Sequence, residues 1–461
     1  MDLLIKNGTI VSESTIFKAD IGIQNGKIIG FFKKTKRKTP EQQIDAKGKL
    51  IFPGIVDGHV HFQLQDLGRQ ISSDTFEEGT KAGAFGGVTT IIDFADQTRG
   101  ESPFKAYKER RAVADPQVVI DYGLHVSVTD TDHLDEIATL ISEGVTSFKI
   151  FTTYSWRNLY LNDAQIYDVL LVLRKYGATA VVHCENDDFV IALREKLIKE
   201  GKIEPIYHAK SRPNFVEAEA IQRILFLAKL TGVKTHIFHV STKEGIELLV
   251  RAKKKNTNIT GETCPHYLLL NEEAYAGEKG YLNLMSPPLR SDNDRQAILH
   301  QVLDGNVDLI VTDHCEFSKE SKGLGKQPFH QVLNGIPGVE TSLALMHEYL
   351  INRHNLSYPR LINLLSTNPA KIFGLYPQKG SLVIGADADL VIFDTKKEIT
   401  IASDNLHYEI DWNPYEGEKV KGWPVKTIVR GKVIVDDGEF YGKKGAGKYL
   451  RRSPITKISE L

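Results

Sequence analysis

The stretch "IFPGIVDGHVHFQ" (residues 51–63) sets two histidines two positions apart, directly after an apolar run that opens at Pro-Gly. Side chains of a strand alternate between faces, so His59 and His61 point the same way if the run is extended. Ile55, Val56 and Val60 support a strand. Paired imidazoles at a strand end suit a metal ion, and they suit a solvated polar face as well. Seven further apolar runs follow: "VTTIIDFA", "VVIDYGLHVSV", "VTSFKIF", "TAVVHCE", "THIFHVS", "NITGETCPH" and "VDLIVTDH". Helical patterns intervene, such as "NDAQIYDVLLVLRKYG" and "FVEAEAIQRILFLAKLTG", and both end at Gly, as helix C-termini often do. Strands alternating with helices imply parallel βα units. About eight units over roughly 250–300 residues predict an α/β fold of the TIM (β/α)8 type. The rival, a doubly wound open sheet, would carry a Gly-rich phosphate fingerprint after its first strand, and none is present.

The two ends of the chain read differently. "LLIKNGTIV", "DIGIQNGKIIGFF" and "GKLIF" are β-rich and punctuated by Asn-Gly, a hairpin signal. The texture returns in "DADLVIFD" and "VKTIVRGKVIVDDGEFYG". We expect the ends to pair into one small β-sandwich, since chain termini often lie close together. The expected division is residues 1–52 and 377–461 for the sandwich and 53–376 for the barrel.

With 461 residues, 41% of them hydrophobic, the chain can bury a large core, and a formal net charge of -1 gives no long-range pull toward nucleic acid or an anionic membrane. The densest basic run, "KKTKRK" (residues 33–38), reads as a solvated loop. Three cysteines, Cys184, Cys264 and Cys315, form no disulfide framework and no CxxC zinc motif. The start "MDLLIKNG" is too short and charged for a signal peptide, and no apolar run is long enough for a membrane span. The expectation is a soluble cytoplasmic protein.

A barrel places its active site at the C-terminal ends of its strands. Read in order, those ends carry His59 and His61, Lys149, His183, His239 and Asp313. Each has a plain structural reading alone: a hydrogen-bonded histidine, a rim lysine, a helix-capping aspartate. Their joint placement at one mouth makes that set of readings improbable. Imidazole and carboxylate suit zinc and similar divalent ions. A protonated lysine would be repelled there, but a neutral one can take up carbon dioxide as an anionic carbamate able to bridge two metals. Two metals can share a hydroxide that is nucleophilic at neutral pH.

The chain also resembles the amidohydrolase superfamily in its cyclic-amidase branch, the dihydropyrimidinases or hydantoinases. The resemblance rests on "FPGIVDGHVHF", "GTKAGAFGGVTTIIDFA", "GVTSFKIF" followed by Tyr154, "VVHCEN", "SRP" with "EAEAI", "HVS", "GETCPHYLLL", "MSPPLR", "TDHCEF", "NGIPGVE", "NPAKIFGLYPQKGSLVIGADADLVIFD" and "GKKGAGKYLRR". By that resemblance His59, His61 and Asp313 hold the more buried metal, His183 and His239 the second, and carbamylated Lys149 (N6-carboxylysine) bridges them. Zn2+ is the expected ion. The bridging hydroxide attacks a ring carbonyl, Asp313 shuttles the proton to the departing nitrogen, and Tyr154 stabilises the oxyanion. Backbone groups at Ser286 and Asn334 hold the cyclic amide, whose product is an N-carbamoyl amino acid. The implied partner is a small cyclic ureide, a 5-substituted hydantoin or 5,6-dihydropyrimidine, and the implied assembly is a homotetramer, with an oligomerisation tail at the end of the 377–461 segment.

His125, His266 and His314 match no ligand position and are expected to support the site, while Cys184 and Cys315 are expected to pack away from it. Allantoinases share the metal centre and are the alternative within enzymes. Dihydroorotases usually carry an arginine soon after the second histidine, where this chain has Gln63 and Leu64. Collapsin response mediator proteins, which have lost metal ligands, are the non-catalytic alternative; every ligand position is kept here. The loop "FQLQDLGRQISSD" (residues 62–74), with Arg69, is more polar than is usual in hydantoinases, and Trp156 follows the lysine strand. Trp156 either packs against a ring substituent or covers the barrel rim. The expected preference is for aryl or bulky hydantoins over dihydrouracil.

Overall fold

Gly54 separates the last N-terminal sandwich strand, Leu50–Pro53, from the first barrel strand, β1 (Ile55–Asp57). A Cβ at Gly54 would collide with the Thr89 side chain, so only glycine lets the chain pass this close to its neighbour. The computed structural model describes residues 1–33, 40–66, 69–70, 72–255 and 258–454, with the backbone alone at 65, 66, 69 and 70. The basic run from residue 34 onward and the Arg69 side chain lie outside the described residues.

Seven more parallel strands follow β1: β2 (Val88–Ala95), β3 (Asp121–Ser127), β4 (Ser147–Phe151), β5 (Thr179–His183), β6 (Lys234–Ile237), β7 (Ile259–Thr263) and β8 (Leu309–Ile310). They pair in sequence order, β1 at one edge and β8 at the other. The two edges meet through a parallel bridge between Val60 and His314, with the His61 N–H donating to the His314 carbonyl at 2.7 Å. Asp57 adds a side-chain link, accepting from the Thr312 N–H at 3.2 Å and its hydroxyl at 2.6 Å. All eight apolar runs read from the sequence are barrel strands.

The helices between them have the ends their sequences specify. The helix Asp163–Tyr176 is capped by Asn162 in a capping box with Gln165, and Gly177 closes it at φ 70°. It buries Ile166, Val169, Leu170 and Leu173 against the barrel, each worth about 1.5–3 kcal/mol of transfer free energy. The helix Asn214–Thr231 ends at Gly232, φ 71°.

The two chain ends do form a β-sandwich. One sheet is N-terminal: Lys27–Phe32, Asp20–Gln24, Leu3–Lys6 and Gln42–Asp45. The other mixes both ends, with Leu50–Pro53 between Thr9–Val11 and the C-terminal strand Leu390–Thr400. Leu3, Ile5, Ile21, Ile51, Leu390 and Ile428 share their own apolar core.

The segment after the last sandwich strand runs along its own barrel as far as it is described. Leu450 N–H donates to the Tyr122 carbonyl at 2.7 Å, and Arg452 N–H to that of Gly144 at 3.0 Å. The buried Arg452 guanidinium reaches the N-terminal end of the barrel, donating to Ser147 Oγ at 2.9 Å and to the Leu124 carbonyl. Residues 455–461 of the expected oligomerisation tail lie outside the described residues. No helix among the described residues is long and apolar enough to cross a membrane.

Candidate metal centre and active site

His59 and His61 stand just past β1, whose paired residues end at Asp57. Alternation nevertheless carries on across them, because the Val60 bridge to His314 keeps the chain extended. Both rings face Asp313: Oδ1 lies 3.1 Å from His59 Nε2 and 3.3 Å from His61 Nε2. One donor atom from each of the three lies within 4.8 Å of the others. Asp313 also stands beyond its strand, at φ 49°. On the other side His183 Nδ1 and His239 Nε2 face each other at 3.0 Å. Lys149, on β4, is buried, its ammonium 4.0 Å from the Phe238 ring centre. Burial pushes its amine down to about 8, against the pull of Asp313 and Glu262, which keeps a neutral amine within reach near physiological pH.

The donor set fits divalent ions. His59 Nε2 is buried without a hydrogen-bond partner among the described residues. Its other nitrogen, Nδ1, is held by Glu262 Oε1 at 2.7 Å, which turns Nε2 toward His61 and Asp313. Glu262 also holds His236 Nε2 at 2.9 Å. His183 is oriented likewise: Nε2 pairs with Glu185 Oε2 at 2.8 Å, so Nδ1 faces His239. Burial alone would raise the Glu185 carboxyl, but Arg212 at 2.8 Å and His183 override it and hold it down at about 2. Sequence reasoning assigns no role to Glu262, Glu185 or Arg212, although each lies in a quoted motif: "GETCPH", "VVHCEN" and "SRP". Replacing Glu262 with Gln should cost about 10- to 100-fold in metal affinity, the usual worth of such an orienting partner. Chelator competition measures this, and unchanged affinity would show that Glu262 does not set the His59 ring.

A cavity of about 430 Å³ opens beside these residues, lined in part by Tyr154, Trp156, Ser286 and Asn334. Tyr154 sits 5.0 Å from the His183 ring and is left-handed at φ 70°, an uncommon state for a bulky residue. Burial first, then Glu185, pushes its phenol up to about 12, so it stays a proton-bearing donor. Ser286 Oγ lies 3.4 Å from Asn334 Oδ1, so the "MSPPLR" and "NGIPGVE" loops meet. His125 is structural, joined to Ser147 and the Gly58 carbonyl, and His314 Nδ1 accepts from Gly338 N–H at 3.0 Å. His266 does line the cavity. Cys184, next to His183, packs away as expected, but Cys315 stands two positions after Asp313 rather than one, on the same face by alternation, and lines the cavity.

An amidohydrolase family model matches residues 50–434. The chain belongs to the amidohydrolase family. Among its relatives, this amidohydrolase is 40% identical over 459 residues to a D-hydantoinase of Ralstonia pickettii, covering 98% of this chain and 99% of that protein. It is 38% identical over 463 residues to a D-phenylhydantoinase of Escherichia coli, covering 99% of each. The crystal structure of a dihydropyrimidinase from Brevibacillus agri superposes with a TM-score of 0.96 at 34% identity, over 99% of this chain and 100% of that one.

Proposed function

We propose that this amidohydrolase is a cyclic amidase that opens a 5-substituted hydantoin or a 5,6-dihydropyrimidine to an N-carbamoyl amino acid. The observation that carries this reading is the convergence of His59, His61 and Asp313 beside buried Lys149, at the floor of a cavity bordered by Tyr154, Ser286 and Asn334. In our assignment His59, His61 and Asp313 hold one ion and His183 and His239 a second. Neutral Lys149 Nζ would take up carbon dioxide with loss of a proton, and the resulting carbamate would supply an anionic ligand to the ions. Two divalent ions, which we take to be Zn2+, would lower the pKa of water and polarise a carbonyl when bound. Asp313 takes the proton of the attacking water and returns it to the departing ring nitrogen. The Tyr154 hydroxyl donates to the oxygen on which charge develops. Backbone groups at Ser286 and Asn334 fix the ring.

The full-length likeness to proteins named hydantoinase and dihydropyrimidinase supports this substrate class. The test is turnover of dihydrouracil, substituted hydantoins, allantoin and dihydroorotate by metal-loaded protein. A protein that holds two ions per chain and opens none of these rings would end the proposal. The division at 1–52, 53–376 and 377–461 belongs to the same reading, with the strand Leu50–Pro53 straddling its first boundary. So does a cytoplasmic homotetramer, which light scattering after gel filtration checks.

Trp156 stands at the cavity lining, 5.4 Å from the Tyr154 ring and covered by the Arg194 guanidinium at 4.3 Å. That placement favours the substituent-wall reading over the rim cover. Trp156→Ala should lower the kcat/KM ratio of phenylhydantoin to dihydrouracil by about tenfold, as losing one apolar wall does. An unchanged ratio would return the tryptophan to the rim.

A further inference from the structure

Lys322 is a fully buried lysine that the chemistry above does not use. Its ammonium donates to two backbone carbonyls, Leu284 at 3.1 Å and Leu333 at 2.9 Å. The rings of Phe317 and Trp412 stand 5.7 Å away on its other sides. Among the described residues no carboxylate pairs with it; the one titratable group acting on it is Cys315, whose own thiol burial raises far above the usual range. Burial pushes the Lys322 amine down to about 7. A methionine would fill the same space without that desolvation cost, so the polar end has a reason to be there.

The reason lies in what the two carbonyls precede. Leu284 stands two residues before Ser286, and Leu333 one residue before Asn334. The same two segments are tied by Gly335 N–H donating to the Leu284 carbonyl at 2.9 Å, so that oxygen receives both the glycine and the lysine. Gly335 leaves no room for a side chain: at φ 150° a Cβ there would collide with the Cys315 carbonyl. Lys322 is itself fixed, since its N–H donates to the Ser318 carbonyl at 3.0 Å.

We propose that Lys322 is a positioning residue, whose ammonium staples the "MSPPLR" and "NGIPGVE" loops at the separation that grips a cyclic amide. The proposal rests on the cyclic-amidase reading for the ligand, and on the two hydrogen bonds for the staple. It predicts a defect in substrate grip rather than in chemistry, because Lys322 contacts neither the metal ligands nor Asp313.

The test compares wild type, Lys322→Met and Lys322→Gln as full-length, metal-loaded proteins, using the cyclic ureide that wild type turns over best. In Lys322→Met, KM should rise about tenfold or more with kcat within about threefold, the scale of losing charge-assisted hydrogen bonds that hold a binding site. Metal content should be unchanged. Lys322→Gln keeps two N–H donors on a chain one bond shorter and should give an intermediate KM; it carries the same test if the methionine variant does not fold. Hydrogen exchange supplies a readout that needs no substrate: residues 282–289 and 331–337 should exchange faster in Lys322→Met, with the barrel strands unaffected. A fall in the active fraction with KM and loop exchange unchanged would overturn the proposal, since a merely structural lysine behaves that way. A wild type that turns over no cyclic ureide refutes the functional reading instead, and unchanged loop exchange would then still overturn the staple.

Discussion

Lys149→Ala should lose most bound metal and reduce ring opening by about 10³-fold or more, because water deprived of its metal ions returns from a pKa near 7 toward 15.7. The argument starts from placement. Lys149 is buried on β4 among Phe94, Phe151 and Phe238, where an ammonium has no paired carboxylate within ion-pair distance among the described residues. Burial lowers its amine to about 8, so the neutral form that reacts with carbon dioxide is accessible. Alanine removes that chemistry and leaves His59, His61, His183 and His239 around a gap. Short carboxylic acids such as propionate should restore part of both metal content and rate by occupying the gap. Elemental analysis and turnover, measured together, check this. Two ions per chain and full activity in the unrescued variant would remove Lys149 from the centre.

Asp313→Asn should cost about 10²–10⁴ in kcat, the range for one oriented acid–base group. The substitution suits this position, since Asp313 has φ 49° and Asn, like Asp, tolerates the left-handed region better than most residues. Backbone strain should therefore not confuse the result. Asp313 Oδ1 faces both His59 and His61, so a ligand role and a proton role predict different signatures. Lost metal with lost rate marks the ligand; retained metal with lost rate marks the shuttle. Undiminished turnover would mean that the proton is moved by another group.

Lys149 and Asp313 are legible in the sequence because each belongs to an apolar run at the same end of a βα unit. Period-two alternation and the order of the runs depend only on local sequence, and they also mark His59 and His61 as one same-facing pair. Cys315 is expected to pack away, yet it stands two positions after Asp313, on the face alternation gives to Asp313, and it lines the cavity. The described residues of the C-terminal tail bond along their own barrel at Tyr122 and Gly144, a path that no local pattern in the tail specifies.

By itself the sequence determined the eight strands, their helices, the two-ended sandwich and the set of side chains presented at one mouth, because strand period, glycine stops and turn residues act over a few positions. Only the tertiary structure decided which groups orient that set. Glu262 meets His59 across 203 positions, Arg212 meets Glu185 across 27, and Lys322 reaches Leu284 across 38. Such contacts depend on barrel closure and on loops that return to the mouth, and no local pattern encodes which buried acid or base will face which. Burial supplies the rest of the reason: it lowers the amines of Lys149 and Lys322 and fixes their partners only once the surrounding strands and loops have excluded water.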